Sequence, residues 1–319
     1  MKTTTQRFLA VLALIAFIVY GCSKTADYDN PVNPQNGSSS NLTPHVYGVL
    51  PTTPDMVIGV PEYSQGLFVS KVSTSDVSYT LATPAVRDQG QIGSCTAFCG
   101  AETDEILYYY KNNAWPEILS PAFLYYCERV LILKQKITAD NGASMVNIPQ
   151  ALQKYGICKE VTYAYPSSNK STAYKTAPKT AAFTEGLNYR IGQVKTSYGV
   201  IAQGDVTAVK NLLAANVPVM MGFQVYDNTA YAYFERLSTT SYIYNPLTAT
   251  GSLATGVKLL GGHAVPIVGW DDNVGGGSFL VQNSWGTAWG LNGFFYMPYT
   301  VFKSTKIVPA NNCYYAYLN

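Results

Sequence analysis

Hydrophobic and polar positions divide the chain into distinct regimes. Residues 8–20 are apolar without a break and follow Lys2 and Arg7. Thirteen such residues are too few to cross an apolar bilayer core of about 30 Å, so they predict a cleaved export signal over residues 1–21. Residues 22–50 lose all apolar periodicity in an Asn-, Pro- and Ser-rich stretch and predict a flexible tether. A coil of about 28 residues would reach roughly 30 Å. In residues 51–83, an N-terminal extension or short propiece, the alternation of Met56, Ile58 and Val60, then Leu67 and Val69, predicts one or two strands. Turn residues then thin out from Ala97 to about Asn112, which predicts a helix. A second helix opens at Leu119-Ser120-Pro121, with proline in its first turn, and a third runs from Ile148 to Tyr155 and is closed by Gly156. Residues 162–190 read as a loop-like passage. From Tyr189 onward the signals turn to strands, with one helix over Val206 to Ala215.

Composition narrows the function classes. Hydrophobic residues make up 47% of the 319 positions, enough for a sizeable core. Charged residues are only 13%, about half the usual share of roughly 25%, so uncharged polar residues and the 26 tyrosines must cover much of the surface. With a net charge of +2 and no basic cluster, nothing argues electrostatically for nucleic acid.

The chemistry concentrates around one cysteine. A Gly93-Ser94 turn directly precedes Cys95, and the predicted helix follows, so Cys95 stands at a helix N-terminus, where unpaired N–H groups favour a thiolate. A thiolate nucleophile needs a base, and the chain has two histidines. His45 lies in the stretch that reads as disordered. His263 follows Gly261-Gly262 and opens the apolar run Ala-Val-Pro-Ile-Val-Gly-Trp, which reads as a buried strand. Twenty positions on, Asn283 supplies an amide that can hold an imidazole in one tautomer. A metal reading is weaker: Asp271-Asp272 reads as a solvated acidic pair, and Cys95, Cys99 and His263 lack both the C-x-x-C spacing and a fourth ligand for zinc.

Three blocks in order carry a family resemblance: Gln-Gly-x-x-Gly-Ser-Cys at 89–95, Gly-His-Ala-Val at 262–265, and Asn-Ser-Trp-Gly-x-x-Trp-Gly at 283–290. With the quieter matches at 119–127 and 141–157, they resemble the papain-like (C1) cysteine peptidases, bacterial members in particular, over roughly residues 84–299. The resemblance implies an α+β papain-like fold for residues 84–319, with a helical lobe at about 90–185, a strand-rich, β-barrel-like lobe at about 189–319, and the active site in the cleft between them. It implies peptide-bond hydrolysis through a Cys95 thioester. His263 would be base and acid, Asn283 the orienter, Gln89 an oxyanion donor, and Trp285 a shield over the Asn–His bond. Gly142, Ala143, Ser144, Met145 and Gly262 would bind substrate. No metal or organic cofactor is implied. The partner would be a protein or peptide substrate, and the chain a monomer.

Departures from the family pattern bear on these expectations. Thr96 stands where an aromatic is common and Ile92 where a cysteine is, so one characteristic disulfide is missing. Cys99, Cys127, Cys158 and Cys313 allow three pairings. Cys127 occupies a family disulfide position and Cys158 is the nearest remaining cysteine, which makes Cys127–Cys158 the expected bond. Residues 227–260 form an insertion that would overhang the cleft. The sequence Val19-Tyr20-Gly21-Cys22-Ser23 resembles a bacterial lipoprotein cleavage box, with Cys22 as the lipid-bearing residue. It implies an exported enzyme anchored at a bacterial membrane or cell surface, with a periplasmic or secreted form as the alternative. No long amphipathic helix precedes Pro84, so either a short non-helical segment covers the cleft or there is no zymogen. Two other functions stay open: an inactive surface protein that binds peptide or glycan, and a thiol acyltransferase or amidase on the same scaffold.

Overall fold

The computed structural model describes residues 45–166, 173–227 and 234–318. The expected export signal, Cys22 and most of the expected tether lie outside the described residues.

After two short strands, β1 (Val49–Leu50) and β2 (Ser78–Thr80), the chain builds its helical half: α1 (Cys95–Asn112), α2 (Pro121–Tyr126), β3 (Ala143–Ser144), α3 (Asn147–Lys154) and α4 (Thr180–Gly186). Ser120 caps α2 by accepting the Phe123 N–H at 3.1 Å, with Pro121 in the first turn. The helix continues into a π-helical turn at Cys127–Ile132. Helix α1 is buried on every face from Cys95 to Leu107. Its sequence shows no clean amphipathic stripe because three carboxyls are buried with it. Glu105 is paired, taking Arg87 Nη2 at 3.0 Å and the Leu119 N–H at 2.8 Å. Glu102 and Asp104 have no hydrogen-bond partner among the described residues, and burial raises both carboxyls, Glu102 to about 8.

The second half contains β4 (Tyr198–Val200), α5 (Val206–Ala214), β5 (Val219–Asp227), β6 (Lys258–Asp271), β7 (Ser278–Gln282), β8 (Phe294–Pro298), α6 (Tyr299–Phe302) and β9 (Cys313–Ala316). These strands form an antiparallel sheet in the order β4-β9-β5-β6-β7-β8, and β2 adds to β6 with Ser78 opposite Asp271. From Gly262 onward β6 is mostly buried, and α1 packs against it. This contact joins the two lobes and sets the N-terminus of α1 against the middle of β6.

Several expectations change. Met56 to Val60 and Leu67 to Val69 are not strands, because Pro51, Pro54, Gly59, Pro61 and Gly66 interrupt any ladder. Ile58 and Val69 are 82% and 78% exposed. The segment instead straps the strand lobe, with Tyr63 N bonded to Val200 O at 2.8 Å and Lys71 N to Ala214 O at 2.5 Å. The expected tether fails over residues 45–50, which are ordered against the cleft. The passage at 162–190 contains α4. Cys127 and Cys158 are not paired. Both are buried free thiols, as are Cys95, Cys99 and Cys313, and they serve as small core side chains.

Candidate active site

The loop before α1 is tied down by Asp140 and Tyr165. Asp140 accepts the Gly93 N–H at 3.2 Å, Ser94 Oγ and the Tyr165 hydroxyl lie 2.6 Å apart, and that hydroxyl donates to Gln89 O at 2.9 Å. Cys95 is thereby fixed as the first residue of α1 and is fully buried. The backbone N–H groups of Ala264 and Gly48 lie near enough to its sulfur to favour the thiolate. The first of these is the neighbour of His263, so α1 and β6 bring the thiol to the imidazole's own stretch of strand.

His263 Nε2 lies 2.7 Å from Asn283 Oδ1, which also accepts the Ser284 N–H at 2.9 Å. Since that oxygen can only accept, Nε2 carries the hydrogen, and the lone pair of the neutral ring sits on Nδ1. Nδ1 is buried and has no hydrogen-bond partner among the described residues. Phe223, Phe234 and Trp285 wall the ring, with centroids at 5.8, 5.9 and 5.1 Å. Ser284 also donates its hydroxyl to Gln89 Oε1 at 2.6 Å. This turns the amide so that Nε2 donates toward Ile92 O at 3.0 Å and Val46 O at 3.3 Å. Sequence reasoning missed Ser284 and Tyr165. Ser284 follows Asn283 directly, and a hydroxyl there was the available signal; Tyr165 sat in a stretch without any motif.

Residues 45–50 thread the cleft itself. Gly48 O accepts the Ala143 N–H at 2.9 Å, and β1 runs parallel to β3, with Val49 opposite Ala143. Only glycines permit this approach: a Cβ on Gly48 would lie 1.9 Å from Gly93 O, and one on Gly142 would lie 1.8 Å from Gly48 O. His45, which reads as disordered in the sequence, stacks on Trp285 at 3.9 Å with the rings 7° from parallel. An apolar face supplied by the other end of the chain orders a segment that has no periodicity of its own. The direction of threading matters. A general acid at His263 would have to meet the leaving amine, which would put the leaving half of a substrate on the His263–Trp285 side and the acyl half on the β3 side. Residues 45–47 lie on the first side and 49–50 on the second, which is the reverse of a substrate's chain direction.

Burial dominates the electrostatics of the pair. Desolvation pushes the Cys95 thiol up to about 11, although the N–H groups of Ala264 and Gly48 pull it down. His263 is lowered to about 4, chiefly by desolvation, against the opposing bond to Asn283. The covered pair is therefore neutral thiol and neutral imidazole, and desolvation outweighs the helix N-terminus that favours a thiolate.

The remaining expected residues are placed as follows. Ala143 and Ser144 form β3, and Ser144 Oγ donates to Pro51 O at 3.1 Å. Gly262 faces Val49, whose carbonyl oxygen would lie 2.7 Å from an added Cβ. Met145 is fully buried, with Cγ 2.5 Å from a Cβ built on Gly222. Thr96 is buried and donates to Glu128 Oε2 at 2.7 Å. Asp272 pairs with Lys210 at 2.9 Å. No group of metal-ligating side chains occurs among the described residues.

A family model described as papain family cysteine protease matches residues 73–315. An uncharacterised peptidase C1-like protein of Acanthamoeba polyphaga mimivirus is 30% identical over 221 residues, covering 66% of this chain and 63% of that protein. A gut-specific cysteine proteinase of Caenorhabditis elegans is 30% identical over 228 residues, 66% of this chain and 62% of its own. The matches thus span less than two thirds of these relatives. Among solved structures, xylellain, a cysteine protease from Xylella fastidiosa, aligns with a TM-score of 0.67 at 27% identity, covering 86% of this chain and 96% of its own. Bromelain from Ananas comosus, in complex with the E64 inhibitor, aligns at 0.55 with 20% identity, a likeness of fold.

Proposed function

The chain belongs to the papain family of cysteine proteases, and from that premise we propose that Cys95, His263, Asn283 and Gln89 hydrolyse peptide bonds, with residues 45–50 as a built-in plug that must leave first. When the plug leaves, water and substrate reach the pair. The desolvation that holds it neutral is relieved, and the proton moves from Cys95 Sγ to His263 Nδ1. The thiolate attacks the substrate carbonyl carbon, forming the S–C bond. The oxyanion is held by Gln89 Nε2, whose hydrogen now points at Val46 O, and by the Cys95 N–H. As the C–N bond breaks, His263 gives its proton to the leaving amine. The ring then takes a proton from water, which attacks the thioester and releases the acid, and the thiolate departs to restore the ion pair. Asn283 holds the ring in the useful tautomer throughout. One observation carries this reading: His263 is tied to Asn283 through Nε2, which leaves the basic lone pair on Nδ1, buried and unpartnered among the described residues.

The reversed threading suits an inhibitor, because a backward strand does not present a scissile carbonyl and its leaving amine in the order the attack needs. The apolar run at 8–20 and the Gly21-Cys22 pair support an exported enzyme, lipid-anchored at a bacterial membrane. The test of the catalytic reading uses Gly48→Ala, whose added methyl cannot coexist with the plugged geometry, with and without Cys95→Ala, on a denatured protein substrate. Cleavage by the first and none by the second is expected, and equal turnover by both would refute the assignment.

A further inference from the structure

The plug shows what the leaving side of the cleft accepts. Tyr47 packs against both the catalytic imidazole and Trp285, with ring centroids 6.0 Å from each, and its ring meets the former edge-on at 90°. Beneath it Gly261 has no side chain, and a Cβ there would come within 2.6 Å of Tyr47 Cβ. At the far end of this slot the Tyr47 hydroxyl donates to Glu235 Oε1 at 2.5 Å. Burial and the Glu235 carboxylate both push the phenol up, so it keeps its proton and acts as the donor.

Glu235 does not owe its position to Tyr47. Asp227, at the end of β5, accepts the N–H groups of Phe234 and Glu235, each at 3.0 Å. The neighbouring Phe234 is fully buried, with its ring 5.0 Å from those of Trp285 and Trp289, and its carbonyl takes Trp289 Nε1 at 3.1 Å. The carboxylate is thus built into the rim by the inserted stretch between β5 and β6. The slot has an aromatic wall, a glycine floor and an anionic acceptor at phenol length.

Resting on the proteolytic reading above, we infer that Glu235 is a specificity-determining residue that selects peptides with tyrosine directly after the cut, by accepting that residue's phenolic hydrogen. A side chain entering from either chain direction meets the same wall, floor and acceptor. Phenylalanine fills the slot but leaves Glu235 without its donor, and leucine also forfeits the ring contacts. A hydrogen bond to a charged group contributes enough for discrimination on the order of tenfold or more, reduced by the partial exposure of this one.

The experiment uses the full chain carrying Gly48→Ala and three peptides that differ only in having Tyr, Phe or Leu after the cut. The expected kcat/KM for Tyr exceeds that for Phe by roughly tenfold. Glu235→Ala should collapse the Tyr/Phe ratio to within about twofold, and Glu235→Gln, which keeps an acceptor oxygen, should restore part of it. A Tyr/Phe ratio near one before substitution, or one that Glu235→Ala leaves intact, overturns the inference. Should no peptide be cut, the hydrolytic reading has failed, and the Glu235 contact is read separately in the otherwise native chain from the rate of Cys95 alkylation. Tyr47→Phe and Glu235→Ala should each speed labelling, and the double variant no more than the faster single one. Unchanged rates in both singles overturn it there.

Discussion

Replacing Gly48 by alanine isolates the effect of the plug on the nucleophile. The added Cβ would fall 1.9 Å from Gly93 O, a backbone atom of the loop that positions Cys95, so the plug must move away. Two opposed consequences follow for the thiol: it loses the Gly48 N–H that pulls it down, and it regains solvent, whose absence is the larger cause of its rise. Held at about 11, it is ionised in roughly one molecule in 10,000 at pH 7. A solvated cysteine near 8.5 is ionised in about 3%, so thiolate alone supplies a gain of roughly 300-fold, and any ion pairing with His263 adds to it. The assay is the rate of iodoacetamide alkylation at pH 7, located by peptide mass mapping so that the buried Cys99, Cys127, Cys158 and Cys313 serve as internal controls. Faster labelling confined to Cys95, with a thermal midpoint close to that of the parent chain, is expected. Equal rates would refute the argument that residues 45–50 disarm the pair. Labelling of all the cysteines would mean that the substitution had merely loosened the fold.

Other consequences can be checked in the same opened chain. Gln89→Ala should lower kcat by about a hundredfold with little change in KM, because its Nε2 is aimed at charge that develops only in the tetrahedral intermediate; steady-state kinetics on a single peptide would show it. Asn283→Ala should lower kcat by roughly tenfold or more through loss of the 2.7 Å bond that sets the His263 tautomer, and would be read from the same kinetics. Glu102 is raised to about 8 in the fold against an ordinary 4.5, so the folded state holds more protons than the unfolded one between these values and stability falls as pH rises through them. Glu102→Gln should therefore raise the melting midpoint at pH 8 and change it little at pH 5, an effect on the order of a few kcal/mol. An identical shift at both pH values would contradict it.

The parts of the fold that could be read from the chain were those with a local physical signal. Ser120-Pro121 marks α2 because capping and proline geometry act within one turn, and Val219 to Phe223 declares itself a strand through its apolar run. Residues 89–95, 262–265 and 283–290 locate the groups that the structure brings together at the cleft. What escaped was non-local. His45 and Tyr47 are ordered by rings and a carboxylate about 190 residues or more away, so no window around them contains the reason. Met56 to Val60 alternates like a strand, but its prolines and Gly59 decide the backbone. Glu235 sits in a stretch of low charge with nothing to distinguish it until Asp227 and Phe234 fix it against the slot. The helix-terminal position of Cys95 was legible, whereas the burial that raises its thiol was not, since that comes from packing between distant parts of the chain.

The most direct test titrates the Gly48→Ala chain with a thiol-directed epoxide while following peptide hydrolysis and the site of modification in the same samples. Activity should fall in proportion to labelling and reach zero at one adduct per chain, located on Cys95. Hydrolysis that persists with Cys95 fully modified would contradict the account.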